Sequence, residues 1–282
     1  MNFIGHRKNW ELLVREASLN RLPPAYLFYG TPGIGKKRVA LAFVARLFGR
    51  EIEGGVHPDF HLIEAEGETI KIEAIRSCQA KLQRAPLEAL LKVVLIDEAG
   101  SLTRQAANSL LKVLEEPPRD TLFILITRSL FQILPTIRSR CRRLFFSAPP
   151  VLEMAAYLGP QWNLPPDKLR SMLEDVDGSA GLLSEILADE MAGAAQHLDR
   201  LFSGKSPSFS DTAAAAQELA RKEIDLPLLL EVQKKRLFRR IVADSNFLGL
   251  DKIDRISEAQ RDIEGNVNKA LVLENLVMDL TS

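Results

Sequence analysis

The stretch Tyr29–Arg38, YGTPGIGKKR, decides the fold of this chain and raises its main functional question. Gly30, Thr31, Gly33, Gly35 and Lys36 fit the spacing GxxxxGK, placed directly after the apolar run Ala25–Tyr29 and directly before a segment of helical periodicity. In that context glycines let backbone N–H groups turn toward phosphate oxygens, and the following helix adds positive potential at its N-terminus. The position after the lysine normally carries a serine or threonine whose hydroxyl reaches Mg²⁺; here it is Lys37. At about 4 Å and an effective dielectric of about 20, one like-charge pair costs about 4 kcal/mol, and a divalent ion doubles it. Lys37 can swing aside but cannot ligate the metal, so the spacing predicts a phosphate-loop fold without efficient Mg²⁺-dependent hydrolysis. Weak ATP or ADP binding through the backbone and Lys36 is compatible with it.

About sixty residues further on, VVLIDEAGSL is a fully apolar strand candidate ending in Asp97-Glu98. At the carboxyl end of a parallel strand, where open α/β sheets bind ligands, such a pair suits an Asp in a Mg²⁺ shell and a Glu that orients water. A buried strand capped by two solvated acids reads the same way in isolation. The upstream loop favours the functional origin.

Around these two motifs, strand candidates at Ala25–Tyr29, Asp59–Ala65, Lys92–Asp97, Thr121–Thr127 and Arg142–Ser147 alternate with amphipathic segments. The pattern predicts an α/β layer with a mainly parallel sheet over residues 1–150. Pro149-Pro150 marks a boundary, since proline cannot continue a regular element. Beyond it the periodicity is helical: Val151–Leu158, Asp167–Glu174, Gly181–Ala188, Met191–Phe202, Ser210–Arg221, Leu226–Asp244 and Lys252–Leu280. This divides the rest into a small helical domain, 151–190, and a helical bundle, 191–282.

The chain has 282 residues with 37 basic and 37 acidic side chains, so non-specific attraction of the whole molecule to DNA is not expected. No apolar run is long enough for a membrane span and the N-terminus lacks a signal-peptide core, so no membrane association and a cytoplasmic location are expected. Two cysteines, Cys78 and Cys141, and four histidines are too few and too scattered for a structural zinc site.

The wording of the next helix is more specific than its periodicity. Thr103–Pro118, TRQAANSLLKVLEEPP, puts Ala107, Leu110, Leu111 and Leu114 on one face, with Thr103 as a candidate N-cap and Pro117-Pro118 as the stop. Read from Asp97 to Thr127 and continued by LPTIRSRCRRLFF, the sequence closely resembles the clamp-loader branch of the AAA+ ATPases. The resemblance runs from Ile4 to about Glu185; the remaining third matches only in being helical. It implies a P-loop AAA+ domain, a small helical lid and an all-α collar that holds a five-subunit assembly together.

The resemblance also assigns Ile137–Cys141, IRSRC. An arginine between small polar residues before a strand is, by itself, a solvated loop residue. In clamp loaders the matching residue, here Arg140, reaches across a subunit interface to the γ-phosphate of a neighbour's ATP, with Ser139 and Cys141 as positioning residues. Guanidinium suits that task because it is always charged and presents a planar fork of donors. Thr127 stands where the family has its sensor-1 polar residue, although a strand-terminal threonine needs no function. Arg138, Arg142 and Arg143 are read as ordinary surface contacts.

Three departures narrow the resemblance. Lys37 replaces the Mg²⁺ hydroxyl, Leu182 in GSAGLL replaces the sensor-2 arginine, and Phe48–Asp59 lacks the four cysteines of the zinc module usual in relatives. His57-Pro58-Asp59 remains as the module's exit; no metal is expected and no cofactor is required. A chain that loses its own ATP contacts but retains a trans-acting arginine describes a rigid subunit that completes its neighbour's site. The implied partners are gamma/tau and delta subunits in a hetero-pentamer and, through that complex, the sliding clamp and primed DNA. The alternatives are an active gamma/tau-like clamp-loader ATPase and a AAA+ DNA-remodelling helicase subunit. Lys234–Arg240, KKRLFRR, could meet DNA phosphates or form a solvated helix face with Leu237 and Phe238 packed inward.

Overall fold

The computed structural model describes residues 4–52, 57–188, 193–195, 198, 216–221, 224–243, 250–265 and 267–281. Segment Met191–Phe202 therefore falls largely, and Ser210–Arg221 by half, outside the described residues. The described chain forms two contact units: residues 1–166 with 177–181, and residues 167–176 with 182–282.

In the first unit the chain runs α1 (Arg7–Ser18), β1 (Ala25–Tyr29), α2 (Lys36–Phe48), β2 (Phe60–Ile63), α3 (Ile72–Leu82), β3 (Lys92–Ile96), α4 (Arg104–Glu115), β4 (Thr121–Thr127), α5 (Pro135–Arg138), β5 (Arg142–Phe145) and α6 (Val151–Trp162). The five strands form one parallel sheet in the order β2-β3-β4-β1-β5. The P-loop α/β architecture is thus present, and its two faces account for the near-continuous apolar strands. Ala25, Leu27, Val94, Ile96, Phe123 and Leu125 pack on the side of α3, α4 and α5. Their alternates Tyr26, Phe28, Val93, Leu95, Leu122 and Ile124 pack on the side of α1 and α2.

The sheet order matters for the site. Because β4 lies between β1 and β3, and β2 beside β3, the carboxyl ends of four strands deliver Gly30, Thr127, Asp97 and Glu64 to one edge of the sheet. Register keeps them level: Tyr29 pairs with Thr127, and Ile96 with both Leu125 and Ile63.

α4 starts as expected, with the Thr103 hydroxyl accepting from the Ala106 amide at 3.2 Å. Its buried face is Ala106, Ala107, Leu110 and Leu114; Leu111 is only partly covered and Ala106 takes its place. β2 is shorter than the expected Asp59–Ala65. Asp59 is fully buried and leaves the strand to accept the amides of Leu87, Glu88 and Ala89 at 2.7–2.8 Å. Burial alone would raise its pKa, but the three amides outweigh it and hold the carboxylate below the ordinary range.

The second unit is helical in its described residues: α7 (Pro166–Asp175, all but its first residue), α8 (Ala180–Leu187, from Leu182), α9 (Leu226–Ala243), α10 (Leu250–Glu264) and α11 (Lys269–Thr281). The expected segment Lys252–Leu280 is two helices. Gly265 follows the last residue of α10, and the Asn268 side chain caps α11 by accepting the amides of Ala270 and Leu271 at 3.1 and 3.3 Å. The basic cluster in α9 is also corrected in part. Arg236 pairs with Asp175 at 2.9 Å and Lys234 with Glu231 at 2.5 Å, while Arg239 meets Glu174 and Asp175, but Phe238 is 51% exposed rather than packed inward.

Candidate functional site

The glycine motif forms a loop around a cavity of about 510 Å³ lined by Gly33, Gly35, Lys36, Lys37, Asp97, Glu98 and Thr127, together with Arg38 and Arg128. The loop is supported by its own chain from three directions. A Cβ on Gly30, at φ +141°, would lie 2.0 Å from the Phe146 carbonyl oxygen, so this glycine is required by the packing of β1 against the end of β5. The buried His6 ring donates from Nε2 to the Ile34 carbonyl at 2.6 Å. Burial is the main cause of its lowered pKa, which keeps the imidazole neutral. On the third side, the Ser179 hydroxyl donates to the Pro32 carbonyl at 2.9 Å and the Gly181 amide to the Gly33 carbonyl at 2.9 Å.

Lys36 and Lys37 turn to different ends, Lys36 into the loop and Lys37 to a half-exposed position at the strand ends. Lys36 is buried and folds back on the loop, donating to the carbonyls of Gly30 at 2.7 Å and Thr31 at 2.6 Å. Burial pulls its pKa down to about 8, against the opposing pull of Asp97. Lys37 leans to the strand ends and pairs with Glu64 at 2.5 Å and with Asp97 at 3.1 Å. Burial lowers its pKa, but the hydrogen bonds and charges of Glu64 and Asp97 outweigh that and raise it overall.

This geometry tests the site against the Mg²⁺ that a phosphate loop implies, and the residues do not fit it. The hydroxyl ligand is missing, and the carboxylate that would join the metal shell already holds a cation of its own chain. Glu98 pairs with Arg128 at 3.1 Å, but both side chains are more than half exposed, so this contact is weak. Thr127 is buried, and its hydroxyl donates within the turn that follows, toward the Ser129 carbonyl at 3.1 Å and Gln132 Oε1 at 3.2 Å. Among the described residues no group of three or more His, Cys, Asp or Glu could hold a metal ion.

Ser139, Arg140 and Cys141 lie apart from this cavity, in the turn between α5 and β5. The Ser139 hydroxyl donates to the Thr136 carbonyl at 2.9 Å and closes the short helix. Cys141 is a core residue, its thiol pushed up to about 12 by burial, and so inert at neutral pH. Arg140 is 35% exposed and bonds to the Thr136 carbonyl and to Glu115. Arg142 is tied to Glu16 at 2.6 Å, and Glu16 also accepts the buried Tyr26 hydroxyl.

Comparison with known proteins agrees with this architecture. The family model described as "DNA polymerase III, delta subunit" matches residues 5–150, the whole sheet with its loop and the Arg140 turn. The chain belongs to this family. Among curated relatives, the DNA polymerase III subunit delta' of Bacillus subtilis is 39% identical over 150 residues, covering 48% of this chain and 46% of that protein. The delta' subunit of Escherichia coli is 32% identical over 192 residues, covering 62% and 58%. The chain thus spans about half the length of the family members it matches. A solved DNA polymerase III gamma subunit-related protein of Thermotoga maritima shares the fold over 95% of this chain and 98% of its own, at a TM-score of 0.64 and 22% identity.

Sequence reasoning missed Glu64, Arg128, Glu115, His6, Ser179 and Gly181. The first two had a signal, since each follows a strand whose carboxyl end faces the loop. His6 and Glu115 meet their partners only through the fold, whereas Ser179 and Gly181 lie in the GSAGLL turn already singled out for Leu182, without their own contacts being foreseen.

Proposed function

We propose that this chain is a delta prime-type clamp-loader subunit: a AAA+ subunit without hydrolysis of its own that presents Arg140 to the ATP of a neighbouring subunit while a sliding clamp is placed on primed DNA. The observation that carries this reading is the Glu64–Lys37–Asp97 triad. It puts a tethered cation against the carboxylate that an active subunit needs for its metal, so the chain's own loop is closed to Mg²⁺ chemistry. The names and extent of the family match support the replication setting, and the exposed position of Arg140 supports action outside the chain. The gamma/tau and delta partners, the pentamer, the clamp and the DNA are part of the same proposal, as is the division into AAA+, lid and collar domains.

The test is steady-state ATP hydrolysis by the purified chain, alone and mixed with gamma/tau and delta subunits, clamp and primed DNA. No turnover alone, with turnover in the mixture that depends on this chain, is the expected result. Robust Mg²⁺-dependent turnover by the chain alone would replace this reading with an active gamma/tau-like ATPase.

A further inference from the structure

Arg140 is already engaged within its own chain. Its Nη2 donates to Glu115 Oε1 at 2.7 Å and its Nη1 to the Thr136 carbonyl at 3.0 Å. Glu115 is the last residue of α4, which is held in place by the Thr103 cap and by Leu110 and Leu114 in the core. An arginine suited to a phosphate thus rests on a carboxylate, which offers the same sign of charge and the same in-plane acceptors.

From this geometry we infer that Glu115 is a positioning residue for Arg140: it stands in for the phosphate and holds the finger against its own subunit until a neighbour's γ-phosphate displaces it. The inference rests on the reading of Arg140 proposed above. Magnitudes set the order of events. The Arg140 and Glu115 side chains are 35% and 45% exposed, and a pair of that kind biases a population by about fivefold at most. A finger arginine in place changes a hydrolysis rate by about 10³- to 10⁵-fold. Because the exposed pair is weak and a γ-phosphate carries more charge than a carboxylate, the carboxylate yields when closure of the subunits brings that phosphate within reach. Glu115 lowers the resting rate without limiting the engaged one.

The experiment uses the reconstituted complex and reads kcat and KM for ATP with and without clamp and primed DNA. Glu115→Gln should raise the unstimulated kcat about two- to fivefold, with KM and the stimulated kcat unchanged. Glu115→Asp should keep the parent ratio of stimulated to unstimulated rate. The double variant Glu115→Gln/Arg140→Ala should behave as Arg140→Ala alone, which a merely structural role of Glu115 would not produce. An unchanged ratio in Glu115→Gln, or a loss of stimulated kcat, overturns the inference. Glu115→Ala serves as the second variant, and failure of both to assemble would show that Glu115 serves the fold. If Arg140→Ala leaves stimulated turnover intact, the finger reading itself fails. If Arg140→Ala cuts turnover while Glu115→Gln changes nothing, only the role of Glu115 falls.

Discussion

Two cations of this molecule, Lys37 and Arg140, are held by carboxylates at similar distances in different settings. Lys37 meets Glu64 and Asp97 at 2.5 and 3.1 Å, and Arg140 meets Glu115 at 2.7 Å. They differ in surroundings rather than in distance. Lys37 and Glu64, 39% and 52% exposed, are as wet as Arg140 and Glu115. The Asp97 side chain, however, is only 19% exposed and Lys37 is shared by two carboxylates, so the Lys37–Asp97 contact is the better shielded one. Arg140 and Glu115 are both substantially wet, and their contact is replaceable. On the proposed reading, a closed site and a usable one differ in the cost of undoing their contacts.

The largest test of this contrast is Arg140→Ala. On the proposed reading, hydrolysis at the neighbour's ATP site should fall about 10³-fold or more in single-turnover assays of the complex. The melting temperature of the chain should hardly move, since an exposed pair contributes about 0–1 kcal/mol. A loss of fold rather than of rate would mean that the turn is structural. Next comes Gly181→Ala. Its Cβ would lie 2.6 Å from the Gly33 carbonyl oxygen and 2.8 Å from Gly33 Cα, both backbone, so chemical denaturation should show a loss of about 1–3 kcal/mol. A neutral result would mean that the loop is less tightly propped than its contacts imply.

Lys37→Thr works in the other direction. It restores the hydroxyl and frees Asp97, and titration calorimetry should then show ATP binding at least about tenfold tighter with Mg²⁺ than with a chelator. Equal affinity in both conditions would place the block elsewhere, with Leu182 the first suspect. The smallest effect concerns Lys36. Its ammonium should titrate near pH 8 in a carbon-NMR experiment, well below the ordinary lysine value. Because its folded pKa lies under the unfolded value, folding is penalised below about pH 8 and that penalty is relieved as pH rises toward 10.5. A Lys36 midpoint above 10 would mean that the loop opens in solution.

The layered sheet, the loop, the acidic pair and the Thr103 cap were legible because each rests on local spacing: alternation of strand and helix, glycines at fixed offsets, a hydroxyl before an apolar stripe. Lys37 announced the missing hydroxyl but not its partner. Glu64 lies 27 residues away and meets it only because β2 and β3 are neighbours in the sheet. Glu115 was hidden for the same reason, 25 residues from Arg140 along the chain. The break at Gly265 could have been read, since glycine followed by an asparagine N-cap is a helix stop and restart. A strong apolar period on both sides masked it. Phe238 was misjudged because periodicity on α9 does not say which stripe finds a partner.

Lys37 has a further consequence. A metal ion brought by a nucleotide arrives at a concentration that the surroundings set, and leaves when they change. An ammonium on the adjoining backbone has an effective concentration fixed by its tether. For this loop the counter-charge of Asp97 is therefore written into the gene, and on the proposed reading its shape does not follow rises and falls in the supply of magnesium.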